Sequence, residues 1–283
     1  MTKFELASWT EFAGTIQQIT DERENRQTKL GRRFENLLFR GHGDSSWSLT
    51  TTLERAYPGE CRDQDTSLLR YYRRARACKP HVETFTGERW ERLPTVPEFE
   101  QLVRDSFSKA YWLDMLLMSV EEIYEYLVYL RHHGFPSPLL DWTVSPYVAA
   151  FFAFDSAPND AKQVAVYALL RDSVHGGSSD GHLFTVGPYM RTHKRHLLQQ
   201  CRYSMCTRID LDNQEYVFCP HGIGLEDALG PEGEVFLITL PVEQRNAALQ
   251  NLELMNINPF SLFASEDSLI RTVARRELLF RES

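Results

Sequence analysis

Three apolar residues run straight into a cation at Leu37-Leu38-Phe39-Arg40, and Gly41-His42-Gly43-Asp44 comes next. The apolar triplet predicts a short buried strand. The glycines and the aspartate predict a turn that ends it. A guanidinium at the end of such a strand is partly out of water, and a buried ion without compensation is costly. Arg40 therefore needs an internal carboxylate, with Asp44 and Asp141 as candidates, or a bound anion. The planar fork of arginine suits a bidentate hold on a phosphate. Both readings stand on the string alone.

The rest of the chain predicts an α+β protein. Its 283 residues are 42% hydrophobic and 25% charged, enough to bury a core without disulfides. Ser8 and Glu11 have capping-box spacing and predict a helix to about Thr28. Helix formers from Asp65 to about Leu117 predict two or three helices, broken around Thr84 to Pro97. Ser119 and Glu122 form a second capping box, and Ile123, Tyr126, Leu127 and Leu130 share one face of the helix behind it. Gly134 and Pro136 end that helix. Leu139 to Trp142 reads as a strand, and Ser145-Pro146 opens a helix with Tyr147, Ala150, Phe151 and Phe154 on its apolar face. Gln163 to Leu170, Tyr203 to Arg208, Tyr216 to Phe218 and Glu234 to Leu240 read as strands, and Gly176 to Gly187 as a loop. Pro241 opens a helix to about Leu254, and Ser265 opens the last one.

Composition excludes several classes. A net charge of −8 disfavours indiscriminate nucleic-acid binding. The basic run Arg70, Arg73, Arg74, Arg76 and Lys79 reads as a solvated helix face or as a docking patch for an anionic partner. Five cysteines (Cys61, Cys78, Cys201, Cys206 and Cys219) show no CxxC spacing, which argues for reduced thiols and a cytoplasmic location rather than a disulfide framework or a zinc site. No signal peptide is expected. The longest apolar stretch, Tyr147 to Phe154, has eight residues and is too short to span a bilayer, so no membrane partner is expected. HExxH and Walker A motifs are absent, and no metal site is expected.

Polar groups cluster again at Arg131-His132-His133-Gly134 and Leu139-Leu140-Asp141-Trp142-Thr143-Val144-Ser145. Singly, His132 would cap a helix end and Asp141 a turn. Clustered near chain reversals, they predict a cleft shared with Arg40. Arg195 to Cys206 and the pair Gln214-Glu215 are further polar stretches that spacing leaves open.

Phe39-Arg40-Gly41 and the string from Arg131 to Thr143 together resemble the FRG family, named for the first motif. The similarity runs from about Phe34 to Cys206, with family-like texture around Leu262-Phe263-Ala264. The pattern is also similar to that of ADP-ribosyltransferases, which cleave NAD at the nicotinamide–ribose bond. There a strand ends in arginine, a second carries a Ser-Thr-Ser-like string before a helix, and a third supplies a glutamate. The resemblance implies a single FRG-type domain over 1–283 with a helical insertion at about 60–118, folded as a split sheet of short strands with an N-terminal helical region. It implies NAD as substrate. Arg40, Gly41, His132, Trp142, Thr143 and Ser145 would bind it. Glu215, Gln200, His133 and Asp141 would be catalytic: Glu215 as the carboxylate, Gln200 as its rival, a histidine as acid or base, Asp141 orienting a histidine or Arg40. A protein or nucleic acid would accept the ADP-ribosyl group, in a toxin or antiviral-defence setting. The chain departs from the pattern in reading Thr-Val-Ser in the second element and in having Gln214 and Glu215 adjacent. The alternatives are a non-catalytic nucleotide-binding or sensing module, and a hydrolase using His133 and Asp141.

Overall fold

The structure, a computed structural model, describes residues 1–31, 33–56, 67–108, 121–171, 182–186, 192–210, 212–222 and 233–280. The fold is α+β. The described residues form one mixed sheet of β1 (Thr2–Glu5), β2 (Leu38–His42), β3 (Leu140–Thr143), β4 (Gln163–Leu170), β5 (His182–Val186), β6 (Cys201–Asp210), β7 (Glu215–Phe218) and β8 (Glu234–Pro241). The order across it is β1-β8-β4-β2-β3-β6-β5, with β7 also on β6. β1 and β8 are parallel, and the other pairings are antiparallel. The helices are α1 (Phe12–Leu30), α2 (Thr52–Ala56), α3 (Leu68–Ala77), α4 (Lys79–Thr86), α5 (Val96–Ser108), α6 (Glu121–His132), α7 (Pro146–Asp155), α8 (Arg195–Leu198), α9 (Arg245–Leu254), α10 (Pro259–Phe263) and α11 (Glu266–Leu278). No helix among the described residues is long and apolar enough to cross a membrane.

Strand alternation divides the core. Val164, Val166, Ala168 and Leu170 of β4 join a cluster with α1, α7 and α9, while Ala165, Tyr167 and Leu169 join another with Leu38 and Trp142. β4 is thus covered on both faces, which explains its unbroken apolar sequence. A third cluster packs α3, α5 and α6 against Cys201, Tyr203 and Met205 of β6.

Three expectations need correcting. β2 does not end at Arg40 but continues through Gly41 and His42, in register with Val166 and Ala165. The turn comes later, where Asp44 Oδ1 accepts from Ser46 N at 2.8 Å. Gly41 is there for close approach: a Cβ on it would overlap the Ala149 carbonyl oxygen and lie 2.6 Å from Ala153 N, both backbone atoms of α7. A Cβ on Gly43 would lie 2.6 Å from the Ser156 carbonyl carbon. Second, His182–Val186, inside the expected loop, is a strand paired to β6. Its own pattern is short, and pairing with a long neighbour decides it. Third, Pro241 closes β8 and leads into a 3-10 turn over Val242–Gln244 before α9. The capping box at Ser119 lies outside the described residues. The expected helical run between 65 and 117 appears as α3, α4 and α5. Arg70, Arg73 and Arg74 of the basic run are exposed on α3, with Arg73 3.5 Å from Glu100 and Lys79 2.8 Å from Glu83.

Candidate functional site

β2 and β3 pair at one position, Phe39 with Thr143. Beside that short contact a cavity of about 330 Å³ opens between the core clusters, lined by residues of β2, α6, β3, α7, α8 and α10. Arg40 is its central group. Its Nη1 donates to the Asp141 carbonyl at 2.6 Å and its Nε to His42 Nε2 at 3.0 Å. The other His42 nitrogen, Nδ1, lies 3.2 Å from the Trp47 carbonyl, so it carries the proton and donates there. Burial and the Arg40 charge hold the His42 ring neutral, with its pKa pushed down to about 4. Burial also lowers Arg40 itself, to about 10, against the favourable charge of Asp141. Arg40 is therefore still a cation at neutral pH. Two of its five N–H groups are used, and among the described residues Nη2 has no hydrogen bond.

The Asp141 carboxylate belongs to a different arginine. Its Oδ2 accepts from Arg131 Nη2 at 2.6 Å, at the C-terminal end of α6. Among the described residues its Oδ1 is buried with no partner, and so are Arg131 Nε and Arg195 Nε. A buried polar atom left unmatched costs about 1–3 kcal/mol, more when it carries charge. Arg195 reaches the cavity from α8, with Nη1 3.4 Å from the His132 carbonyl and its guanidinium 5.2 Å from the Phe263 ring. Gln199 Nε2 donates to Leu262 O at 3.1 Å and Lys194 Nζ to Ala264 O at 2.6 Å, which ties the α8 segment to α10. His132 Nε2 pairs with the Tyr203 hydroxyl at 2.7 Å, and burial pushes its pKa down to about 4. Among the described residues the cavity thus holds three guanidinium groups, one carboxylate and a neutral imidazole, a local charge of +2 inside a chain of −8.

The structure brings together most of the sequence candidates. Arg40, Gly41, His132, Asp141, Trp142 and Thr143 all line this cavity. Trp142 is buried, and its Nε1 donates to Ser204 Oγ at 2.7 Å, so it packs as a wall. Thr143 Oγ1 accepts from Ser145 N at 3.1 Å. Ser145 caps α7, its Oγ accepting from Val148 N at 3.3 Å, and is not among the lining residues. The remaining candidates lie apart. His133 is exposed, with its ring 4.3 Å from Tyr129 and 5.2 Å from His193. Gln200 is exposed at φ 51, and its neighbour Gln199 faces the cavity instead.

Glu215 is the clearest separation. Along β6, Thr143 pairs with Cys201 whereas Glu215 pairs with Asp210. Nine strand residues at about 3.3 Å each put Glu215 roughly 30 Å along the strand from the cavity end. It lines another cavity, with Ser67, Glu100 and Tyr216. Arg131, Arg195 and Gln199 complete the Arg40 cavity, and sequence reasoning gave them no role. Arg131 carried a partial signal as the basic last turn before His132. Arg195 and Gln199 lay in a polar stretch that spacing left open, because only the packing of α8 on α10 aims them inward.

An α+β chain with a cationic cavity at a one-residue strand junction is the class that fold and site define. Residues 35–162 match the FRG domain family, which supports the FRG family for that stretch. The match covers β2, α6, β3 and α7 but not α8 or α10. Neither the curated proteins nor the solved structures include a match to the chain. Among the described residues, no group of three or more His, Cys, Asp or Glu could hold a metal ion.

Proposed function

We propose that the Arg40 cavity binds NAD through its phosphates and that the protein is an ADP-ribosyltransferase-like enzyme or NAD hydrolase in which Asp141, rather than Glu215, is the carboxylate at the reacting ribose. One observation carries the reading: three guanidinium groups, with N–H donors left over on Arg40, Arg131 and Arg195, line one cavity together with a carboxylate that has a buried unmatched oxygen. Arginine forks match phosphate oxygens in pairs. The leftover Oδ1 of Asp141 accepts from a ribose hydroxyl. It also faces the positive charge that develops when the bond from ribose C1′ to the nicotinamide nitrogen breaks. The bonding pair leaves with nicotinamide, water or a macromolecular hydroxyl or amine attacks C1′, and the attacking group gives up its proton to solvent. His132 is a poor base for that proton, since an efficient base has a pKa near the working pH. It orients Tyr203 instead. The cavity volume of about 330 Å³ is at the low end for ligand sites, which suits the nicotinamide ribose phosphate half better than the whole dinucleotide.

A second reading, a nucleotide-binding module without turnover, draws support from the Arg131–Asp141 ion pair, which occupies half of the one carboxylate among the described lining residues. Incubation with NAD labelled in nicotinamide separates the two. The first expects label release that Asp141→Asn abolishes while binding persists. Arg40→Ala should weaken binding roughly 10- to 100-fold, the worth of a charge-assisted hydrogen bond. Saturable binding without release selects the sensing module. No NAD binding by the folded wild-type protein refutes the nucleotide reading.

A further inference from the structure

A second cavity, of about 450 Å³, lies behind the wall that α6 and the residues before α8 present to the Arg40 cavity: Tyr129 and Lys194 line it, whereas Arg131 and Arg195 line the first. Its chemistry differs. Trp90 and Glu122 line it and are only 7% and 9% exposed, yet among the described residues Trp90 Nε1 and Glu122 Oε2 are buried without a hydrogen-bond partner, as is Thr192 Oγ1. One lining group is thus a pure donor, one a pure acceptor, and one can serve as either. Two comparable groups elsewhere are matched: the Trp142 indole N–H finds Ser204, and the Tyr72 hydroxyl finds the Pro94 carbonyl at 2.6 Å.

The charge of the lining narrows the ligand. Glu88, Glu122 and Glu125 face Arg89, Arg92 and Lys194, so the formal charges cancel. Burial and nearby cations lower the pKa of His193, which favours its neutral form. A phosphate or a bare cation gains nothing from such a lining as a whole, whereas a neutral ligand with a donor and an acceptor matches the unmet groups. The aromatic side is supplied by Trp90 and Tyr129, whose ring centroids are 5.5 Å apart.

We infer that this cavity binds a neutral amino-heterocycle of the purine or pyrimidine type. The exocyclic amine donates to Glu122 Oε2, a ring nitrogen accepts from Trp90 Nε1, and Thr192 Oγ1 meets a further polar edge. The site is independent of the Arg40 cavity and does not require the NAD reading.

Adenosine is the probe, because it carries an amine beside an unprotonated ring nitrogen and no phosphate. Inosine is its control, because it places a carbonyl and an N–H there instead. Titration calorimetry with the full chain should show saturable adenosine binding, with inosine at least tenfold weaker. Trp90→Phe removes the indole donor and should weaken adenosine roughly tenfold. Arg40→Ala should leave adenosine binding unchanged while it weakens NAD, so the two cavities fail separately. Equal affinity for adenosine and inosine, no adenosine binding at millimolar concentration, or loss of adenosine binding in folded Arg40→Ala protein would each overturn the inference. Should Trp90→Phe not fold, the two-nucleoside comparison on the wild-type protein decides it.

Discussion

Replacing Gly41 with alanine tests why the Phe-Arg-Gly string ends in glycine. The added Cβ would overlap the Ala149 carbonyl oxygen and sit 2.6 Å from Ala153 N. Both are backbone atoms in the middle of α7, whose Ala149, Ala150, Ala153 and Phe154 are fully buried, so no flexible side chain can give way. Relief requires α7 to back off β2 by roughly an ångström, and overpacking of this kind costs about 1–3 kcal/mol or more. Taking about 3 kcal/mol, and an unfolding entropy near 0.6 kcal/mol/K for a chain of this length, the melting temperature should fall by about 5 °C. Gly14→Ala is the internal control. Gly14 lies inside α1, and a Cβ added there would meet nothing within 4 Å, so alanine should stabilise by about 0.5–1 kcal/mol. Differential scanning calorimetry of the two variants beside wild type gives the comparison. A Gly41→Ala protein melting within a degree of wild type would refute the packing account and leave ligand approach as the reason for glycine.

Two further outcomes are expected. His42, His132 and His221 all have pKa values pushed down to about 4, chiefly by burial, against about 6.5 when unfolded. Between those values the unfolded chain takes up protons that the folded chain refuses. The stability they contribute is complete above about pH 6.5 and is lost as pH falls toward 4, at up to about 1.4 kcal/mol per pH unit for each histidine. Melting curves at pH 7.5 and 5 should show a clear drop; an unchanged or higher melting point at pH 5 would contradict this. Ser145→Ala removes the α7 cap and should cost about 1 kcal/mol. NAD affinity should not change, and a large loss of affinity would return Ser145 to the role of a ligand contact.

The sequence disclosed the parts of the fold that depend on local pattern. β4 has the expected bounds because both its faces are apolar, and α7 begins where Ser145-Pro146 foretold because cap and first-turn proline act locally. Gly134 has φ +87 and ends α6 as expected. The end of β2 was misread because glycine signals both turns and close approaches, and only the position of α7 tells which. The site divides in the same way. Arg40, His132, Asp141 and Thr143 were legible through clustering. The partner of Asp141 was not, since Arg131 and Arg40 both lie within reach and the pairing follows from how α6 lands on β3. Glu215 was drawn in by an expected third strand that supplies a carboxylate, but β6 is long enough to carry β7 away from the cavity.

The cavity is assembled from two separate lengths of chain. Its floor, with Arg40, Arg131 and Asp141, comes from the stretch matching the FRG domain, while Arg195, Gln199 and Phe263 come from beyond residue 162. On the proposed anion-binding reading, Arg40 and Arg131 supply charge from the matching stretch, and Arg195 adds a third cation from outside it. Replacing α8 and α10 would then change one cation and the Phe263 wall while leaving Arg40, Arg131 and Asp141 in place.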